Sequence, residues 1–310
     1  ARTLVAGVAT LDGNDPVIRP AIELAARIGA RLHLVHVCHP DEHTLLHQAR
    51  AGAGPAGILE RAVRERLRRE AWAASPHPDI VCHAPWGRPD EVLPRLAADH
   101  HADLLLLAPT RRGRVSGFLL GTTAEHVLRA TTVPVLVVHG EPALERVLLT
   151  TDLSASSLAA HREGLRLACL IASPGAAVRT LHAMPPAAPG ETADTAEEQI
   201  AAALEELADV LPAHAVDGRV PRPCVRFGEP AYVIGHEARA WCADLLVLGT
   251  HARRGATRWL LGSVAETVLR HAPCTVLVIP PRRAPASGAV DGARPGDSAA
   301  PHGNPHLATA

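Results

Sequence analysis

A doubly wound parallel α/β fold, present twice, is what this sequence predicts, and three observations predict it. Two stretches are near copies 141 residues apart: Gly87-Arg88-Pro89, Ala102-Asp103-Leu104-Leu105, Leu119-Leu120-Gly121-Thr122 and Val127-Leu128-Arg129 recur as Gly228-Glu229-Pro230, Ala243-Asp244-Leu245-Leu246, Leu260-Leu261-Gly262-Ser263 and Val268-Leu269-Arg270. The constant spacing marks duplication of a whole unit. Short runs rich in Val, Leu and Ile alternate with longer stretches of helical period. Several short runs, such as Leu104-Leu105-Leu106-Leu107, are apolar without alternation, as strands covered on both faces are. Right-handed crossovers between such strands give two Rossmann-like, five-stranded parallel sheets, which we expect to pair as an internal pseudo-dimer.

In the first unit, strands are expected at 3–8, 32–37, 80–83, 104–107 and 133–138, separated by helices at 17–28, 58–73, 90–100 and 122–129. The second repeats the order, with strands at 147–150, 178–182, 223–226, 245–248 and 275–279 and helices at 156–171, 193–210, 231–241 and 263–270. The strands 133–138 and 275–279 are apolar and end their units, so pairing them removes two open sheet edges. Gly140-Glu141-Pro142 marks the junction. The domains are placed at 1–141 and 145–281, and the Ala-, Pro-, Gly- and Ser-rich stretch 282–310 is expected to be a disordered tail.

Composition excludes several functions. A formal net charge of −1 gives no bulk attraction to nucleic acid, and 2% aromatic residues leave little for base-stacking platforms. Every basic residue is Arg; without Lys, a lysine-bearing phosphate loop is excluded. The six cysteines form no C-x-x-C pair and read as buried, reduced thiols. No apolar run reaches the roughly 20 residues of a membrane span, and Ala1-Arg2-Thr3-Leu4-Val5 has no signal-peptide pattern. A cytoplasmic protein with no membrane or nucleic-acid partner is expected.

Ligands of open parallel sheets bind outside the carboxyl ends of the strands, where strand order reverses. Three segments of the second unit converge there: Thr150-Thr151-Asp152-Leu153-Ser154, His182-Ala183-Met184, and the long loop from Gly249 to Gly262-Ser263. Gly249 admits close approach of backbone. Gly262-Ser263 presents N–H groups and a hydroxyl at the start of a helix beginning near Val264, where anions are favoured. Arg253 and Arg254 can add charge-assisted bonds, and Asp152 can accept from ribose hydroxyls. Each feature has a plainer reading beside it: Gly262-Ser263 as loop glycine and helix cap, Asp152 as an Asx turn, the arginines as solvated charges. The histidines of His36-Val37-Cys38-His39, with His43 and His47, match no established zinc spacing, so no metal is assigned. There is no G-x-S-x-G elbow and no ordering of Ser, His and Asp that stands out as hydrolytic.

These residues resemble the universal stress proteins, over about residues 1–280 as a tandem pair. That family has an Asp after the first strand and a G-x2-G-x9-G-(S/T) loop after the fourth. The second unit reads Gly249-x2-Ala252-x9-Gly262-Ser263, with Asp152 in place. The resemblance implies a Rossmann-like fold, dimerisation, and either ATP binding or a nucleotide-free existence. For an ATP-binding member it implies a site of Asp152, Ala183, Met184, Gly249, His251, Ala252, Arg253, Gly262, Ser263 and Val264, taking ATP with or without Mg2+. Ala252 replaces the middle Gly. The first unit departs further: its loop reads Ala108-x2-Arg111-x9-Gly121-Thr122, and Ala9 falls where Asp is expected, Asp12 substituting only through a shifted loop. Nucleotide is therefore expected in the second unit, as regulatory binding rather than turnover; His251 beside Gly249 and Asp152 would support at most slow ATP hydrolysis. A homodimer and a protein partner of unknown identity are compatible with this. Two alternatives stay open: a structural or interaction protein with both sites degraded, and an adenine-nucleotide α-hydrolase-type enzyme with a second substrate site.

Overall fold

The computed structural model describes residues 2–38, 55–74, 79–109, 121–140, 143–185, 193–250 and 261–281. The expected tail at 282–310 and residues His39, His43, His47, His251, Ala252, Arg253 and Arg254 lie outside them. The first unit runs β1 (Arg2–Gly7), α1 (Ile18–Ile28), β2 (Ala30–Val35), α2 (Pro55–Ala74), β3 (Ile80–His83), α3 (Pro89–Asp99), β4 (Leu104–Leu107), α4 (Thr122–Ala130) and β5 (Val135–Val137). The second runs β6 (Arg146–Thr151), α5 (Ala155–Ile171), β7 (Ala177–Met184), α6 (Ala193–Val210), β8 (Arg222–Phe227), α7 (Pro230–Ala240), β9 (Leu245–Gly249), α8 (Ser263–His271) and β10 (Thr275–Ile279).

All ten strands form one sheet in the order β3-β2-β1-β4-β5-β10-β9-β6-β7-β8. Pairing is parallel within each unit and antiparallel only at the seam, where Val137, Leu136 and Val135 stand opposite Val276, Leu277 and Val278. This is the pseudo-dimer that the terminal apolar strands predict. Strands such as Leu104–Leu107 are buried along their whole length, because helices cover both faces. Residues of α3, α4, α7 and α8 line one apolar layer that crosses the seam; α1, α5 and part of α2 line the other. Across the seam Arg129 of α4 bonds Glu266 of α8 at 3.1 Å and Arg270 of α8 bonds Glu125 of α4 at 3.2 Å, while within the helices Arg129 bonds Glu125 at 2.8 Å and Arg270 bonds Glu266 at 2.9 Å. Arg27 of α1 also donates to the Ile171 carbonyl at the end of α5.

Strand register aligns the units. Leu4 stands opposite Leu32 and Leu104; Val147 stands opposite Val178 and Leu245. Stepping along the strands makes Ala9 the counterpart of Asp152, His36 that of His182, His33 that of Arg179, and His83 that of Cys224. Two devices recur. The carboxylates of Asp103 and Asp244 accept the N–H groups that open the first strand of each unit, those of Thr3 and of Glu145 and Arg146. His36 and His182 each use Nδ1 to hold the carbonyl just past or at that strand's end, Val8 at 3.0 Å and Thr151 at 2.9 Å. His36 is thus a backbone tie. None of the six cysteines is in a disulfide, but only four are buried: Cys169 is half-buried and Cys242, just past α7 with φ +53°, is exposed. The uniformly buried set expected from the apolar runs is corrected there.

Candidate functional site

The units differ most in the loop after their first strand. In the second unit residues 152–154 connect β6 to α5. Leu153 takes φ +63°, and the turn is tied by Leu153 N to Thr151 Oγ1 at 3.0 Å and by Ser154 N to Asp152 Oδ1 at 3.0 Å. Ser154 caps α5 by accepting from Ser157 N at 3.2 Å. In the first unit residues 8–17 make the same connection and α1 starts only at Ile18. That longer loop folds around Asp15, a buried carboxylate that the sequence reading passed over. Asp15 accepts from Ala9 N at 2.8 Å, Thr10 N at 2.9 Å and Val17 N at 3.0 Å. Asp12 instead makes a local turn with Asn14 N at 3.0 Å. Its shifted loop therefore supplies a fold contact.

In the second unit the short loop leaves a cleft of about 320 Å³ between the carboxyl ends of β6 and β9. This is the switch point, since β7 flanks β6 on one side and β9 on the other. The walls bring together Thr150, Thr151, Asp152, Ser157, Leu181, Ala183, Pro230, Ile234, Leu248, Gly249, Gly262, Ser263, Val264 and Ala265. Six of the expected residues therefore meet: Asp152, Ala183, Gly249, Gly262, Ser263 and Val264. Met184 does not line it. The period of two turns that side chain to the other face of β7, where it packs against the buried cluster of Ala203, Leu207, Leu211 and Val225.

Polar and apolar groups share the walls of the cleft. Gly262 is the N-cap of α8, with φ −60°; Ser263 is its first residue rather than its cap. Gly262, Ser263, Val264 and Ala265 line the cleft, and the N–H groups at a helix start attract anions. Asp152 is exposed, and a carboxylate that accepts one backbone N–H retains capacity for more. Leu181, Ala183, Pro230 and Ile234 form the apolar wall. Gly249 has a packing reason of its own: a Cβ there would stand 2.9 Å from Ala160 Cβ of α5. A Cβ at Gly262 would meet nothing within 4 Å among the described residues.

The model of the universal stress protein family matches the chain twice, over residues 1–139 and 143–280. The chain belongs to the universal stress protein family. A universal stress protein of Mycolicibacterium smegmatis is 31% identical over 198 residues, covering 60% of this chain and 64% of that one, just under two thirds of its length. Universal stress protein E of Salmonella typhi is 27% identical over 302 residues, covering 86% of this chain and 90% of that one. A crystal structure of a universal stress protein from Pseudomonas aeruginosa shares the fold, with a TM-score of 0.65 at 18% identity over 90% of this chain and 93% of that one. A further family member, 27% identical over 44% of this chain and 96% of its own at a TM-score of 0.30, was solved in complex with cAMP; that ligand is a property of that protein. No helix among the described residues is long and apolar enough to cross a membrane.

Proposed function

We propose that the second unit, residues 145–281, binds ATP or a related adenine nucleotide, and that the first, residues 1–141, serves as its scaffold. The observation that carries this reading is the cleft at the switch point of β6 and β9, whose walls include both the start of α8 and the apolar side chains of Leu181, Ala183, Pro230 and Ile234. The phosphates would lie against the N–H groups following Gly262, with the Ser263 hydroxyl beside them. The Asp152 carboxylate would accept from ribose hydroxyls. The base would lie along Ala183, Leu181 and Ile234. His251, Ala252 and Arg253, which the resemblance adds to the site, lie outside the described residues, and Mg2+ would enter, if at all, with the nucleotide.

The role is regulatory: occupancy would change a surface that a protein partner reads. Gly262→Val tests it well, because φ is negative there and the new side chain meets none of the described residues within 4 Å. ATP titrated into wild type, Gly262→Val and Gly121→Val is expected to bind wild type and Gly121→Val alike, and Gly262→Val at least about tenfold more weakly through lost access to the phosphate site. Absence of adenine-nucleotide binding to wild type at millimolar concentration would sink the proposal.

A further inference from the structure

Three histidines of the first unit, far apart in sequence, converge away from the cleft. His33 lies on β2, His83 ends β3, and His100 follows α3. His33 and His83 are brought together by parallel pairing, His33 standing opposite Val81 and hence two residues from His83. His100 closes the group from the helix above, its ring centroid 4.1 Å from that of His33 and 5.5 Å from that of His83. One ring nitrogen from each residue lies within 4.8 Å of the other two, and His33 Nδ1 is 2.9 Å from His83 Nε2.

The second unit is the control. There the same three places hold Arg179, Cys224 and Trp241. Arg179 stacks 4.4 Å over the Trp241 ring and pairs with Glu237, which also accepts from Arg226 at 3.2 Å. The patch holds two guanidinium groups on one carboxylate, with an indole stacked beneath Arg179. In the first unit Leu96 occupies the helix position of Glu237, so the imidazoles gather without a carboxylate among them. The nearby cations are each paired, Arg31 with Asp79 at 3.0 Å and Arg64 with Glu60 at 3.8 Å.

From this geometry we propose that His33, His83 and His100 form a three-imidazole site for a borderline divalent transition ion of the zinc class. Metal–nitrogen bonds of about 2.0–2.1 Å in a tetrahedron hold the nitrogens about 3.3 Å apart. The His33–His83 pair, at 2.9 Å, therefore opens by a few tenths of an ångström, exchanging its hydrogen bond for two metal bonds, and no pair, all lying within 4.8 Å, has to close by more than about 1.5 Å. Three nitrogen ligands leave a fourth position for water. His83 also borders a cleft of about 300 Å³ shared with Cys82, Glu60 and Leu96, which gives solvent a way to that position. The ion would tie β2, β3 and the end of α3 together at the outer edge of the sheet. It is independent of the nucleotide reading, because none of its ligands lines the ATP cleft.

The test uses the full chain, dialysed against a chelator. Zn2+ is titrated calorimetrically and Co2+ by visible absorption, on wild type, His83→Ala, His100→Ala, and a variant with His39, His43 and His47 all changed to Ala. Wild type and the triple variant are expected to bind one equivalent of Zn2+ that raises Tm, and to give the ligand-field bands of four-coordinate Co2+. His83→Ala and His100→Ala are expected to bind at least about tenfold more weakly and to lose both signals, while folding as judged by circular dichroism. The proposal is overturned if wild type takes up no equivalent tighter than roughly 100 μM, or if binding persists in both single variants, or if it vanishes in the triple variant instead.

Discussion

The first and second units share their frame and differ in two places. The shared parts hold strands: the Asp103 and Asp244 carboxylates at the strand starts, the His36 and His182 ties at the strand ends, and the matched Glu–Arg pairs of α4 and α8. The differing parts lie beside the strand ends and at the outer edge of the sheet. After the first strand, one unit folds its connection over a buried Asp15 and the other leaves a cleft walled by Asp152. Between the second and third strands, one holds three imidazoles and the other an arginine–glutamate–tryptophan cluster. Duplication kept what makes the sheet and released what meets solvent and ligands.

The sharpest way to break the comparison is inside α5. A Cβ at Gly164 would fall 2.5 Å from Val247 Cγ1, so Gly164→Val should destabilise by about 3 kcal/mol through overpacking. Its counterpart in α1 is Ala21, where the same space already holds a methyl group; Ala21→Gly should cost only about 1 kcal/mol as a helix substitution. Urea denaturation of the two variants reads the contrast, and equal losses would contradict the packing described.

Next come the two aspartates. Asp15→Ala strands three backbone N–H groups and should cost about 2 kcal/mol, with nucleotide affinity unchanged. Asp152→Asn sits on the surface and should stay within about 0.5 kcal/mol of wild type, while ATP binds several-fold more weakly. If Asp152→Asn leaves ATP affinity intact, the ribose role falls.

A third contrast is pH. His161 of α5 bonds Thr180 Oγ1 at 2.8 Å and His214 Nδ1 at 2.9 Å. Burial first, then His214 and Arg162, hold its imidazole down to about 4. The folded state thus resists a proton that the unfolded chain accepts near 6.5. Stability from this group is complete above about pH 6.5 and is lost as pH falls toward 4. The counterpart in the first unit is Ile18, which does not titrate. Thermal melts from pH 7.5 to 4.5 should show a steeper acid-side decline for wild type than for His161→Gln; parallel curves would remove His161 from the account. The smallest effect belongs to the seam ion pairs. Arg129→Ala should cost under about 1 kcal/mol, because these side chains are part-exposed, and the cost should shrink further in high salt.

The fold was legible because each strand had an apolar run and the whole pattern occurred twice. Every expected strand and helix has its counterpart, with ends shifted by a few residues. The seam followed from which strands came last. At the cleft, Asp152, Gly262 and Ser263 could be read because strand, loop and helix start are consecutive in sequence. Met184 was misplaced toward the cleft because the face of β7 depends on register, which spacing alone left open. Asp15 was overlooked because a loop carboxylate reads as solvated until the loop closes on it. The His33–His83–His100 group was invisible for a different reason. Attention fell on His36 and its sequence neighbours, whereas β2, β3 and α3 assemble this group only once the strand register is known.

The antiparallel seam of β5 and β10 has an evolutionary side. In a pair made from two identical chains, every substitution appears twice, related by the symmetry axis. Here each half of the pair is encoded separately, so a change such as His100 against Trp241 falls on one half alone. The halves also meet at a concentration set by their shared chain rather than by the amount of protein present. Two unlike pockets are thereby kept in a fixed one-to-one ratio, and dilution that would separate two free partners leaves this assembly whole.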